Sequence, residues 1–150
     1  MLKDLLSVKG DVQIVKVCET GEVEKYNYTN LVVSAGKSFI TSRMSGNTIN
    51  VMSHMAVGTS AASAATGDTA LGTEIGREYL TIAGGTPTTN TITYSAVFPA
   101  GNATGALAEA GIFNAELSES SNVMLCRTVF PTINKLSGDS VTITWTVSLT

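Results

Sequence analysis

The most regular hydrophobic pattern in the chain lies near its C-terminal end, over residues 141–149. Apolar side chains recur at every second position, and the residues between them are all threonine or serine; the apolar set is Val141, Ile143, Trp145, Val147 and Leu149. A period of two turns one face of a strand towards the core and the other towards water. The pattern therefore predicts a half-buried antiparallel strand.

Shorter runs upstream predict further strands. Residues 89–98 alternate in the same way, and apolar runs occupy residues 51–57, 79–83, 107–114 and 123–130, the last ended by Pro131. Residues 11–19 and 22–28 flank a Thr20-Gly21 turn, so residues 11–29 are predicted as a β-hairpin. About eight short strands at this spacing predict a mainly β fold, an antiparallel β-sandwich of jelly-roll-like type.

One segment has helical rather than strand periodicity. Ser34 is a suitable N-cap, and Ala35, Phe39, Ile40 and Met44 share one face of a helix over residues 34–44. The Gly-Lys-Ser at residues 36–38 is not read as a phosphate-binding loop, because that motif needs a glycine where this chain has Leu31. The fold class is thus a sandwich with one short α-helix.

Between the apolar run that ends at Val57 and a compact segment at residues 68–77 lies a loop of small residues, 58–67, here called the small-residue loop. Its backbone can approach another surface closely, and its side chains have little entropy to lose. We predict intermolecular contacts for Ser60, Ala61, Ala62, Ser63, Ala64, Ala65, Thr66 and Gly67. An N-terminal arm over residues 1–10 is predicted to add contacts through Leu2, Leu5 and Leu6.

Composition limits the classes of function. The 150 residues make about one domain, and only 14% are charged, against about 25% in average domains. A neutral, hydroxyl-rich surface suits lateral packing in an assembly, although an ordinary β-domain with threonine-rich faces is the alternative. The net charge of −3 and the scattered basic residues argue against nucleic-acid binding. No segment has the roughly 20 apolar residues of a membrane span. The start of the chain lacks the continuous apolar run of a signal peptide.

Candidate chemistry is sparse. His54 is the only histidine, and no triad or zinc ligand set can be assembled around it by spacing. Cys18 and Cys126 are predicted to be buried thiols rather than a disulfide, in a protein made in a cytoplasm. The carboxylates of Asp68, Glu74 and Glu109 could accept backbone N–H groups or pair with Arg77 or Arg127, and a calcium ion between the first two is an alternative. We expect no enzyme activity, no cofactor and no metal.

Three stretches together are similar to a known class of proteins: HMAVGTSAASAATGDTALGTEIGRE, TITYSAVFPAGNATGALAEAGIFN and MLCRTVFPTINKLSGDSVTITWTVSL. With the VVSAG helix start they cover about residues 31–149, and they resemble small virion proteins of tailed bacteriophages, labelled head-decoration or tail-fibre components. The resemblance carries no catalytic residues.

The resemblance implies a structural virion protein, made in the host cytoplasm and located in the virion. The expected function is capsid decoration, in which the chain binds the outer shell and bridges subunits of the major capsid protein as a homo-oligomer, with a trimer favoured. A tail-fibre or tail-tip adaptor is the alternative, and a glycan-binding receptor-recognition module is a further one. We expect the core to combine the last strand with Phe98, Phe113 and Phe130.

Overall fold

The computed structural model describes residues 5–150, so the predicted contact residue Leu2 lies outside the described part of the chain. Two five-stranded antiparallel sheets and one helix form the antiparallel β-sandwich that the sequence predicts, which confirms the fold class. The elements are β1 (Val8–Val17), β2 (Val23–Thr29), β3 (Leu31–Val32), α1 (Ser34–Met44), β4 (His54–Gly58), β5 (Glu74–Tyr79), β6 (Thr86–Pro87), β7 (Thr91–Phe98), β8 (Gly105–Phe113), β9 (Met124–Lys135) and β10 (Ser140–Leu149).

The first sheet has the order β2-β1-β10-β7-β6, and the second has the order β3-β9-β8-β4-β5. The pairs β1–β10, β3–β9 and β4–β8 are nested along the chain, so that early strands meet late ones. This nesting resembles the winding of a jelly roll. It joins the two ends of the chain in the first sheet, beside β6 and β7 from its middle.

Strand β10 is central to the first sheet, between β1 and β7. Its residues alternate strictly between buried and half-buried up to Ser148, and Trp145 is fully buried opposite Val12 and Tyr94. The threonine face stays partly exposed, as the period of two requires. Complete alternation on a strand with partners on both sides explains why this segment was the clearest in the sequence.

The N-terminal arm is shorter than predicted. Strands β1 and β2 pair antiparallel, in the hairpin arrangement expected for residues 11–29. However, residues 8–10 belong to β1 and pair with residues 147–149, and Ser7 exchanges two backbone hydrogen bonds with Thr150. Within the described chain, only Leu5 and Leu6 therefore precede the sheet, and both are exposed.

Two strand boundaries differ from the prediction. Strand β9 continues through Pro131 to Lys135, because the missing N–H of Pro131 falls beside an irregularity of β8 between Leu107 and Glu109, where the regular ladder is interrupted. The strand predicted over residues 79–83 is absent: β5 ends at Tyr79, and residues 80–83 turn towards β6. Strand β4 likewise begins three residues later than the apolar run that predicted it.

The core prediction is correct for two of the three phenylalanines. Phe98 and Phe130 join Trp145 in the main cluster between the sheets. Phe113 is also fully buried, but it belongs to a second cluster with Val33, Ala56, Leu71 and Met124. Because Ala56 lies between Met55 and Val57 of the main cluster, strand alternation puts this second cluster on the outer face of the second sheet.

Helix α1 packs against β9 through Gly36, its one buried residue. Ser34 is the first helical residue and not the N-cap as predicted; Val33 holds that position, and the Ser34 N–H donates to the carbonyl oxygen of Thr66. Phe39 and Ile40 pack partly against the core, whereas Met44 is exposed. No helix in residues 5–150 is long and apolar enough to cross a membrane.

Both cysteines are free, as predicted. Cys126 is fully buried in β9, and this burial raises the pKa of its thiol far above the usual range. Cys18 is only half-buried, at the end of the first hairpin strand. A buried thiol of raised pKa is inert, so Cys126 acts as a small core residue.

Candidate functional site

The small-residue loop lies over the outer face of the second sheet and is held by charged side chains beneath it. After β4 the chain passes through this loop and returns to the sheet at β5, with Leu71 buried against Phe113 on the way. Most of the predicted contact residues face outwards; those exposed are Ala61, Ala62, Ser63, Ala65, Thr66 and Gly67, whereas Ser60 and Ala64 are half-buried. The loop thus presents small side chains to the outside.

Glu109 is the acidic centre of this arrangement and is fully buried. One carboxylate oxygen, Oε1, accepts the N–H of Thr73 at 2.7 Å and that of Ser60 at 3.3 Å. The other, Oε2, accepts the N–H of Gly72 at 2.8 Å. Gly58 leaves the room for this carboxylate, because a Cβ there would lie 2.9 Å from its Cδ. One side chain in the sheet therefore binds backbone on both sides of the loop.

Arg127 of β9 is the basic partner, and its side chain is 4% exposed. Its Nη2 lies 2.8 Å from Glu109 Oε2, and its Nη1 lies 2.8 Å from Asp68 Oδ2. The same guanidinium donates to the carbonyl oxygens of Ala62, at 3.0 Å, and Ser63, at 3.4 Å. Arg127 thus pairs with two of the carboxylates considered from the sequence, and it also binds the underside of the chain's own loop.

Asp68 closes the network at the surface. Its Oδ2 accepts the backbone N–H of Ala65 at 2.9 Å, a short-range bond typical of turns, and also contacts Arg127. The Ala65 N–H, together with Arg127, lowers the pKa of the Asp68 carboxyl below its usual value. The loop is held at its far end as well, where the Thr66 carbonyl accepts from the first turn of α1.

Acid is therefore expected to loosen the loop at Asp68. A carboxyl whose pKa is lowered by folding stabilises the fold above its unfolded pKa of about 3.9, and this contribution disappears as the pH falls through the folded pKa. We expect the Ala65 amide resonance to shift with a midpoint below 3.9, and the shift to be lost in Asp68→Asn. A midpoint at or above the unfolded value would contradict the assigned contacts.

A second arginine holds the neighbouring acidic link, residues 116–122. Arg77 of β5 forms a two-pronged ion pair with Glu74, with both N···O distances at or below 2.9 Å. Its Nη1 donates to the carbonyl of Ala115 at 2.6 Å and to Asn122 Oδ1 at 2.9 Å, and its guanidinium lies 3.8 Å from the ring centroid of Phe113. The outer face of the second sheet is thus covered by two loops, each bound to a buried arginine.

His54 lies in a separate pocket of about 360 Å³ at the start of β4. Its Nδ1 is 2.7 Å from Ser53 Oγ, and its Nε2 is 3.1 Å from Glu116 Oε1. The ring of Tyr79, which is 70% exposed, lies 4.4 Å from the imidazole. The pocket therefore joins an exposed aromatic ring to hydroxyl, imidazole and carboxylate groups, with Asn50 and Glu119 at its edge.

The carboxylates considered as calcium ligands are used elsewhere: Asp68 pairs with Arg127 and Glu74 with Arg77. Over residues 5–150 the structure places no three His, Cys, Asp or Glu side chains so that they could hold a metal ion. The chemistry of the outer face is ion pairing within the protein. Its consequence is a fixed loop backbone, available for contact with another surface.

The structure separates the two predicted contact regions. The small-residue loop lies on the second sheet, whereas Leu5 and Leu6 precede β1 of the first sheet. The central pair, Glu109 and Arg127, was considered only as one of several pairings. Its signal in the sequence was a single acidic residue in one apolar strand and a single basic residue in the next apolar strand. These two strands, β8 and β9, are neighbours in the sheet.

Comparison with known proteins adds no relative: no family model, curated protein or solved structure matches this chain.

Proposed function

We propose that this protein is a structural component of a tailed-bacteriophage virion, and in particular a capsid decoration protein that binds the outer shell through its small-residue loop. The observation that carries the proposal is the buried Glu109–Arg127–Asp68 network, whose further hydrogen bonds are made to backbone of the small-residue loop and to the N–H groups of Gly72 and Thr73 shortly after it. Such a network fixes the shape of a loop whose own side chains are too small to hold it by packing.

A fixed loop of small residues is suited to a flat protein surface. Binding usually costs the ordering of interface loops and long side chains, and here the backbone is already held and the exposed side chains are short. The charged groups of the network pair with one another, and the exposed residues of the loop are uncharged. Contacts of this kind are individually modest, and they stabilise a shell because many copies bridge neighbouring capsid subunits.

Charged substitutions on the loop test this surface. Ala62→Glu/Ala65→Glu is expected to weaken binding to purified expanded shells at least 100-fold, because carboxylates would lose water without gaining a partner. Both residues use only their backbone in the network, so the fold should be kept. The matched control is Ala83→Glu/Ala100→Glu, at exposed alanines elsewhere. Equal binding by the loop variant and the control would overturn the proposal.

A tail-fibre or tail-tip adaptor remains the alternative within the same class, because a preorganised neutral loop would equally suit a fibre or baseplate protein. The two positions differ in the particle that is bound. An adaptor binds tail-only particles and leaves empty shells bare, and the loop variant would then lose tail binding.

A glycan-binding function has one observation in its favour, the pocket at Tyr79. An exposed tyrosine beside carboxylate and amide groups can stack on a sugar ring while its hydroxyls are hydrogen-bonded. If the protein recognises a host glycan, Tyr79→Ala should abolish binding on a glycan array, whereas Tyr28→Phe, on the hairpin, should not. Absence of binding to the array by the unsubstituted protein would remove this candidate.

A further inference from the structure

An apolar groove of about 590 Å³ opens at the end of the sandwich where β10 finishes. It runs between helix α1 and the inner face of the first sheet, and its apolar lining includes Phe39, Ile40, Met44, Ile92, Val147 and Leu149. Met44 is 78% exposed although Phe39 and Ile40, on the same face of the helix, pack partly against the core. The exposed methionine on an otherwise core-facing stripe indicates a surface that lacks its cover.

The N-terminal segment, residues 1–6 with the sequence MLKDLL, is rich in leucine, and its described leucines are the second apolar feature left uncovered at this end of the molecule. Its leucines are at positions 2, 5 and 6, a spacing that puts three side chains on one side of a helical turn. In the described part of the segment, Leu5 is 83% exposed and Leu6 is 70% exposed. Two adjacent exposed leucines, in a chain with only 14% charged residues, also indicate a surface that binds a partner.

The described end of the segment, Leu5 and Leu6, lies beside the groove and does not line the groove of its own chain. Ser7 is held by its two hydrogen bonds to Thr150, directly after the groove residue Leu149. Leu6 and Leu5 follow within two residues of this fixed point, and neither lines the groove. Because they are so close to this fixed point, these two leucines stay outside the groove, although its apolar lining would suit them. The groove of a second copy has no such restriction.

We propose that residues 1–6 of one copy bind in the apolar groove of a second copy of this chain, so that the protein assembles by exchange of its N-terminal segments. The leucines would cover Met44 and its neighbours, and Arg43, which lines the same groove, would face a segment that carries Asp4. Because each chain carries both the segment and the groove that accepts it, copies can assemble into a closed twofold dimer or a small ring. The inference concerns self-association and does not need the shell or any other partner.

The test is the mass of the purified full chain in solution, measured by sedimentation equilibrium for three variants. Leu5→Ser/Leu6→Ser removes the segment's described leucines, and Met44→Asp places a charge in the groove at an exposed position. Each is expected to weaken self-association at least tenfold. The matched control, Leu117→Ser/Leu136→Ser, changes two similarly exposed leucines elsewhere and should associate like the unsubstituted protein.

Mixing the two defective chains decides where the segment binds. The Met44→Asp chain keeps a competent segment, and the Leu5→Ser/Leu6→Ser chain keeps a competent groove. At a concentration where each chain alone is monomeric, a 1:1 mixture should therefore form a mixed dimer. A mixture that stays monomeric overturns the proposal, as does a segment that binds the groove of its own chain. Self-association of both variants equal to that of the control overturns it too. Shell binding is measured separately, so its failure would not be confused with this one.

Discussion

Replacing Arg127 by methionine is expected to lower the free energy of unfolding by about 3–5 kcal/mol. Arg127 is the only cation among the described contacts of Glu109, a fully buried carboxylate. Removing the guanidinium leaves this charge in the protein interior with only backbone N–H groups, and it also takes the donors from the carbonyls of Ala62 and Ser63. The small-residue loop should open as the fold weakens.

Urea unfolding of a double-mutant cycle isolates the charge effect. Glu109→Gln keeps the size of the side chain and removes its charge, so Glu109→Gln/Arg127→Met should be more stable than the sum of the two single losses predicts. Thr144→Val, on the half-exposed threonine face of β10, serves as a control for urea unfolding and should change stability little. If Arg127→Met costs less than about 1 kcal/mol, the typical value for an exposed ion pair, the network is not buried as described.

Gly36→Ala is the second substitution with a large expected effect. A Cβ at this position would overlap the carbonyl oxygen of Leu125 and lie 2.7 Å from its carbonyl carbon. That carbonyl also accepts the N–H of Val33, so α1 cannot move away without losing this bond. Overpacking of about 3 kcal/mol, offset by about 1 kcal/mol of helix propensity, should leave a net loss near 2 kcal/mol.

Thermal unfolding should show this loss as a fall in Tm of about 4–8 °C for a chain of this size. Gly67→Ala is the matched control, because a Cβ at Gly67 would meet no atom within 4 Å. Its Tm should stay the same or rise slightly, since alanine restricts the unfolded chain. Equal effects at the two glycines would show that α1 does not pack on β9 through Gly36.

The fold followed from the sequence wherever one face of a strand meets water. Strand β10 and the second half of β7 alternate as predicted because the residues opposite the core remain at least partly exposed. Strands β4 and β8 are buried on both faces, so their side chains carry no period and their boundaries could not be read. Phe113 was assigned to the wrong cluster for the same reason: its strand also faces the covering loop.

The candidate site was less accessible to sequence reasoning. The position of the loop and the small size of its residues could be predicted from residues 58–67. The side chains that hold the loop could not, because Glu109 and Arg127 are 36 or more residues away from the backbone groups that they bind. Pro131 gave a misleading stop signal, since the irregularity of β8 that tolerates it depends on the partner strand. Register and long-range pairing decide these features, and periodicity does not report them.

The most direct measurement of the central claim is to mix the purified protein with expanded shells and with tail-only particles, and to locate it by electron microscopy. We predict regular occupancy over the shell, with density from the small-residue loop at the contact, and loss of that occupancy in Ala62→Glu/Ala65→Glu. Density confined to the tail or the portal vertex would contradict capsid decoration in favour of an adaptor. Binding to neither particle would contradict the proposed virion function altogether.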